Sequence, residues 1–286
     1  MAVYRRGYQR YQGPLTGEWD RLLVLPRFAW ESLMQQRLIA ILFVLALFWP
    51  AGCALFIYFS HHLDLLQGFG GAASNIFQVN GEFFFVFMNV QSFAAIVLSA
   101  FAGPSLIAPD LANGALPLYF SRPLTRTTYV FSRMFVLAGV LSPVTWIPGL
   151  LLFAMQSGMA GWGWFAENYR LGLAVMGGFF LWILLVSLIA MACSAYVRWR
   201  VVAGALVLGL FFILGGAAEL ANAVLRVDWA SALNPGRSME QVWRAMLGLE
   251  PLPGPDAWQC AVCLGLMVAG LAVVLRRKLR PVEVVS

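Results

Sequence analysis

The sequence predicts an all-α polytopic membrane protein. It should have six transmembrane helices, cytoplasmic N- and C-termini, and an N-terminal amphipathic helix in the membrane interface. Three observations carry this reading. Of 286 residues, 61% are hydrophobic and 11% charged, and mean hydropathy is +0.77. A soluble domain is about 45–50% apolar and about 25% charged, so this chain has too little polar surface to cover itself in water. Second, six apolar runs at 38–59, 83–107, 129–157, 171–197, 201–221 and 258–275 are each 18 residues or longer. About 20 residues at 1.5 Å rise cross the hydrocarbon core, and runs that are continuous rather than alternating are helices, not barrel strands. Third, the basic residues sort by side. Fifteen of the 19 Lys and Arg fall before the first run, after the second, after the fourth and in the tail, and such an excess marks the cytoplasmic side. The net charge of +6 follows from this bias, and it gives no reason to invoke nucleic acid as a partner.

Taken in order, residues 1–37 form a cytoplasmic arm and the interfacial helix, 38–280 the six-helix membrane domain, and 281–286 a tail. About 37 residues precede the first run, too many and too polar for the start of a cleavable signal peptide. Between Trp19 and Arg37, Trp19, Leu22, Leu23, Pro26, Trp30, Leu33 and Met34 recur at near-helical spacing, opposed by Asp20, Arg21, Arg27, Glu31 and Gln35. That pattern describes a helix lying in the interface, its tryptophans at headgroup depth among the membrane lipids and a bend at Pro26. Gly103-Pro104 in the second run, and Pro143 and Pro148 in the third, predict kinks. Ala261, Gly265 and Ala269 in the sixth form a ladder that permits close helix approach, within the chain or between copies. The outer loop at 222–257 carries a helical pattern from Arg237 to Leu249, with Met239, Val242, Trp243 and Met246 on one side. It reads either as a cap over the mouth of a pathway or as a surface helix.

Chemistry is sparse. The two histidines, His61 and His62, are adjacent, and HExxH, GxSxG and paired-acid motifs are missing. Cys260 and Cys263 form a CxxC on the same side as His61 and His62; as small apolar helix residues they need no metal, and no metal site is assigned to them. Glu219 either contacts a substrate in an outer vestibule or pairs with Arg226. Glu82 marks where the second span leaves the interface. Lys278 is the only lysine and follows no glycine-rich loop, so the chain has no Walker A phosphate cradle. Any ATP-driven work would need a separate ATPase. The ratio of 18 arginines to one lysine points to a GC-rich bacterial genome and so to a bacterial inner membrane.

The segment from Asp110 to Arg133, DLANGALPLYFSRPLTRTTYVFSR, is a polar, aromatic, Arg-bearing corner between two apolar runs. Asp110, Gly114, Pro123, Arg126, Tyr129 and Arg133 are spaced in a way that resembles the hallmark stretch of type-2 ABC-transporter permeases. In that family Glu is commoner at the first position and Lys at the last. The six spans, the interfacial helix and the enlarged last outer loop are also similar to the family. The resemblance implies a permease subunit, paired with a second copy or a paralogue, and two copies of a cytoplasmic ABC ATPase that carry the Mg-ATP. The loop at 108–128 would be the coupling element. Leu111, Leu116, Leu118, Tyr119 and Phe120 would fill an apolar groove on the ATPase, Arg122 and Arg126 would meet acids at its rim, and Gly114 and Pro123 would shape the turns. The interfacial helix, with Trp19, Arg27, Trp30 and Glu31, would be a second contact. The largely uncharged span centres favour an amphipathic or lipid-like cargo, and the leading reading is an exporter. Two other readings stand beside this one: a membrane anchor that recruits an ATPase without transport, and a membrane-embedded lipid-modifying enzyme.

Overall fold

Six helical segments are long and apolar enough to cross a membrane, at Arg37–His61, Gly81–Asp110, Thr128–Ala160, Trp162–Tyr196, Arg200–Leu225 and Ala257–Lys278. The computed structural model describes residues 18–62, 78–114, 126–197 and 199–278, and among these no strand occurs. In chain order the helices are α1 (Glu18–Met34), α2 (Arg37–His61), α3 (Gly81–Ala112), α4 (Arg126–Leu141), α5 (Trp146–Ala160), α6 (Trp162–Tyr196), α7 (Arg200–Leu225), α8 (Pro235–Leu247) and α9 (Ala257–Lys278). All six expected runs are helical. The fourth begins nine residues earlier than its apolar run, because WGWFAENYR extends the helix with a polar turn that hydropathy alone does not include.

Helix α6 is the axis of the bundle. Its buried residues run from Leu171 to Ala195, and it packs on α3, α4, α5, α7, α8 and α9. Helices α2, α7 and α9 lie outside and expose large apolar side chains, among them Phe48, Phe212, Ile213 and Leu266, as lipid-facing helices must. Because the spans alternate in direction, the start of α2, the end of α3, the starts of α4 and α7 and the end of α9 share one end of the bundle, called the near end below. Lys278 Nζ there lies 4.8 Å from the centre of the Tyr196 ring.

The third span is broken, as Pro143 predicted. Helix α4 stops at Leu141, a 3-10 turn covers Ser142–Val144, and α5 starts at Trp146. Thr145 sits at the break, and both its N–H, at 3.0 Å, and its Oγ1, at 2.8 Å, donate to the Leu141 carbonyl. Pro148 falls in the first turn of α5, where a missing N–H costs nothing, and so it adds no kink of its own.

Pro50, inside α2, cannot donate to the Ala46 carbonyl four residues back. A carbonyl left open in lipid costs several kcal/mol. Gln91, fully buried on α3, fills the gap by donating from Nε2 to the Ala46 oxygen at 2.9 Å. The pairing makes a testable prediction. Gln91→Leu should destabilise the chain by about 1–3 kcal/mol, whereas in a Pro50→Ala background, where α2 closes its own bond, the same change should cost under about 1 kcal/mol. Unfolding titrations of the four proteins in mixed micelles check it, and equal costs in both backgrounds would remove the proposed partnership.

Candidate functional site

At the near end, α3 and α4 flank the polar corner, and their facing ends carry three residues of the motif. Tyr129 and Arg133 stand four apart on α4, which puts them on one face. Asp110 faces them from the last turn of α3. Tyr129 Oη donates to Asp110 Oδ2 at 2.7 Å, and Arg133 Nη2 donates to the same oxygen at 2.5 Å. The guanidinium also lies 5.3 Å from the centre of the Tyr129 ring. Tyr129 is fully buried and Arg133 is 7% exposed.

An acid at a helix C-terminus sits against the negative end of the dipole. Asp110 is held there by the arginine and the tyrosine, and together the three tie the two stems of the loop into one unit. The carboxylate is turned into the bundle rather than out toward a partner. It thereby joins the end of α3 to α4. Beyond it, Asn113 N–H bonds the Pro109 carbonyl at 2.9 Å and Gly114 takes φ +62°, a left-handed turn that frees the chain from the helix. Leu116, Leu118, Tyr119, Phe120, Arg122 and Pro123 lie outside the described residues. Leu111 and Arg126 are described only as helical positions in α3 and α4.

Helix α1 is built onto the same unit. Pro26, Ala29 and Leu33 are buried, and the Trp30 ring lies over Gly139 of α4, where a Cβ would approach its Cζ3 to 2.9 Å. Trp30 thus faces the bundle rather than the headgroups, because Gly139 leaves room for an indole. Arg27 and Glu31 pair at 3.2 Å on the exposed face, beside the exposed Phe28. The side chain of Trp19 lies outside the described portion. So α4 is braced twice, by α1 at Gly139 and by α3 at Asp110.

The far end carries a second constellation. Helix α8 starts on Asn234, whose Oδ1 accepts from the N–H groups of Gly236 and Arg237, and it ends on Gly248 at φ +71°. It is a cap sunk into the bundle, not a surface helix. Trp243 is 1% exposed, with its ring centre 5.6 Å from that of Trp182 and 6.1 Å from that of Phe179. Gly178 makes the space, since a Cβ there would meet the indole at 2.8 Å. Arg244 Nη2 reaches Glu82 at 3.1 Å and the guanidinium lies 4.6 Å from the Phe85 ring centre, so Glu82 pins the cap to α3. Gln241 bonds the chain at Leu252 and Pro255 and thereby fixes the return into α9. Burial pushes the Glu240 carboxyl above the ordinary range, against the opposing pull of Arg237. Between α2 and α3 at this end opens a cleft of about 590 Å³, lined by Trp49, Cys53, Phe56, Glu82 and Phe83.

The weaker sequence signals resolve differently. Glu219 is exposed on α7, and among the described residues it makes no ion pair with Arg226, which caps α7 in a left-handed conformation at φ 53°. His61 Nε2 lies 3.0 Å from Gln156 Oε1, which joins α2 to α5; His62 Nδ1 lies 3.0 Å from the Tyr58 carbonyl. Cys260 is buried with Sγ 3.9 Å from the Pro255 carbonyl, Cys263 is half-buried, and both are free thiols. Among the described residues no three His, Cys, Asp or Glu side chains gather as a metal site would require. The Arg244–Glu82 pair was beyond sequence reasoning, because 162 residues separate its members and no local spacing signals it.

No protein-family model and no curated protein matches this chain.

Proposed function

We propose that this chain is the transmembrane permease subunit of an ATP-binding-cassette transporter of a bacterial inner membrane, exporting an amphipathic or lipid-like substrate. A second permease copy or a paralogue completes the membrane part. Two copies of a separate cytoplasmic ATPase supply the hydrolysis of Mg-ATP. The observation that carries the proposal is the convergence of Asp110, Tyr129 and Arg133 on one carboxylate oxygen. These are the first and the last two positions of the motif, and their meeting ties together the two helices that flank the loop.

Such a stem suits force transfer. A push on the loop moves α3 and α4 together, α1 follows through Trp30, and α3 carries the displacement along α6 and α7, on which it packs. The far-end cleft, apolar except for Glu82 and its neighbouring amides, suits a substrate with a hydrocarbon part and one polar group. The expected result in proteoliposomes is that this chain, reconstituted with an ABC ATPase that co-purifies with it, raises ATP turnover further when its lipid substrate is added. Turnover that responds to this chain but to no lipid or amphiphile would favour the anchoring role over transport.

A further inference from the structure

The near end has a second feature that neither the coupling corner nor the far-end cap uses. A groove of about 310 Å³ runs between the starts of α2 and α7 and the near third of α3. Its walls are Leu38, Phe101, Val201 and Leu208, and its polar end is formed by Gln36, Ser105 and Arg200. A volume at the lower end of the small-molecule range, about 300–1,000 Å³, suits a stretch of hydrocarbon chain with one headgroup. Val201 is 84% exposed and Leu38 50% exposed, so the groove opens sideways, where lipid lies against the outer helices.

The charged residue that lines its polar end is a cation, Arg200. Helices α2 and α7 both begin here, and neither has a side-chain cap or an acid in its first turn. The first N–H groups of both helices thus lack helical partners, and both positive dipole ends point to the same rim. Arg200 adds a full charge at the groove and Arg37 stands between its lining residues Gln36 and Leu38 in the chain; among the described residues neither pairs with an acid. We propose that this groove binds one anionic phospholipid of the near-side leaflet, its phosphate held by Arg200 and the uncapped helix starts and one acyl chain laid against Leu38, Phe101, Val201 and Leu208. A second copy of this chain is a poor occupant. A two-fold contact through the groove would set Arg200 and its uncapped helix starts against the same positive groups of the partner.

The test is native mass spectrometry of the full chain in detergent, with phosphatidylglycerol and phosphatidylcholine of identical acyl chains as the probes. The intact chain should retain one phosphatidylglycerol in preference to phosphatidylcholine, and Arg200→Gln should lower that preference about fivefold, the usual worth of one arginine near an anionic headgroup. Ala205→Trp, a filler placed at an exposed lining position, should remove retention of both lipids. Val201→Trp serves the same purpose if Ala205→Trp does not fold, as judged by its melting temperature. An unchanged lipid preference in Arg200→Gln would overturn the proposal. So would wild-type retention in a folded groove-filling variant. A groove-filling variant that changed the oligomeric state without touching lipid retention would make the groove a protein contact instead.

Discussion

Asp110→Ala is expected to destabilise the chain by about 3–5 kcal/mol, the cost of leaving a buried guanidinium without its counter-charge. Arg133 is 7% exposed and its Nε has no hydrogen-bond partner, so Asp110 Oδ2 is the acid on which its charge depends. Tyr129→Phe removes one bond to the same oxygen and should cost less, about 1.5–3 kcal/mol. The decisive comparison is the double variant Asp110→Leu with Arg133→Met. Replacing both members of a buried pair by apolar groups is often neutral, so it should recover most of the loss. Unfolding titrations of the detergent-solubilised chain measure all three. A double variant as unstable as Asp110→Ala would mean that the corner depends on charge for more than burial.

Trp243→Ala should cost a similar amount, about 3–5 kcal/mol, and should act at the opposite end. The indole fills the space between Gly178, Trp182 and Phe179 and is the deepest anchor of α8. Without it the cap is left with the Arg244–Glu82 pair and the Gln241 clamp. Hydrogen exchange should then rise across Pro235–Leu247 while α3 and α6 stay protected. Trp243→Phe should cost much less, because the indole Nε1 is buried without a hydrogen-bond partner and only part of the ring volume is lost. Equal losses for Ala and Phe would mean that packing is not what holds the cap.

Much of this architecture was legible because lipid imposes simple rules. Continuous apolar length set the six spans to within a few residues, and Pro143 marked the broken third span. The exception was the start of α6, where Glu167, Asn168 and Arg170 ended the apolar run although the helix continues outward. Helix α8 was visible from the spacing of Met239, Val242, Trp243 and Met246. Its depth was not, because that depends on Gly178 leaving a hole on a different helix. The same limit applies at Trp30, whose partner Gly139 is equally remote in sequence. For Asp110, Tyr129 and Arg133, the family resemblance grouped the residues but could not say that the acid turns inward. That orientation follows from the facing ends of α3 and α4, a tertiary relation. Of the two readings of Glu219, the pairing with Arg226 is not seen among the described residues, where Arg226 caps the end of α7 in a left-handed conformation.

The central claim is that the loop on the Asp110–Arg133 stem docks a cytoplasmic ATPase, and charge reversal on the loop tests it most directly. Arg122→Glu with Arg126→Glu changes none of Asp110, Tyr129 and Arg133, and the melting temperature should hold. Affinity purification of the tagged full chain from membranes containing the ATPase should recover two ATPase copies per permease pair with the native sequence and almost none with the reversed arginines. Undiminished recovery with unchanged ATP turnover would contradict the account.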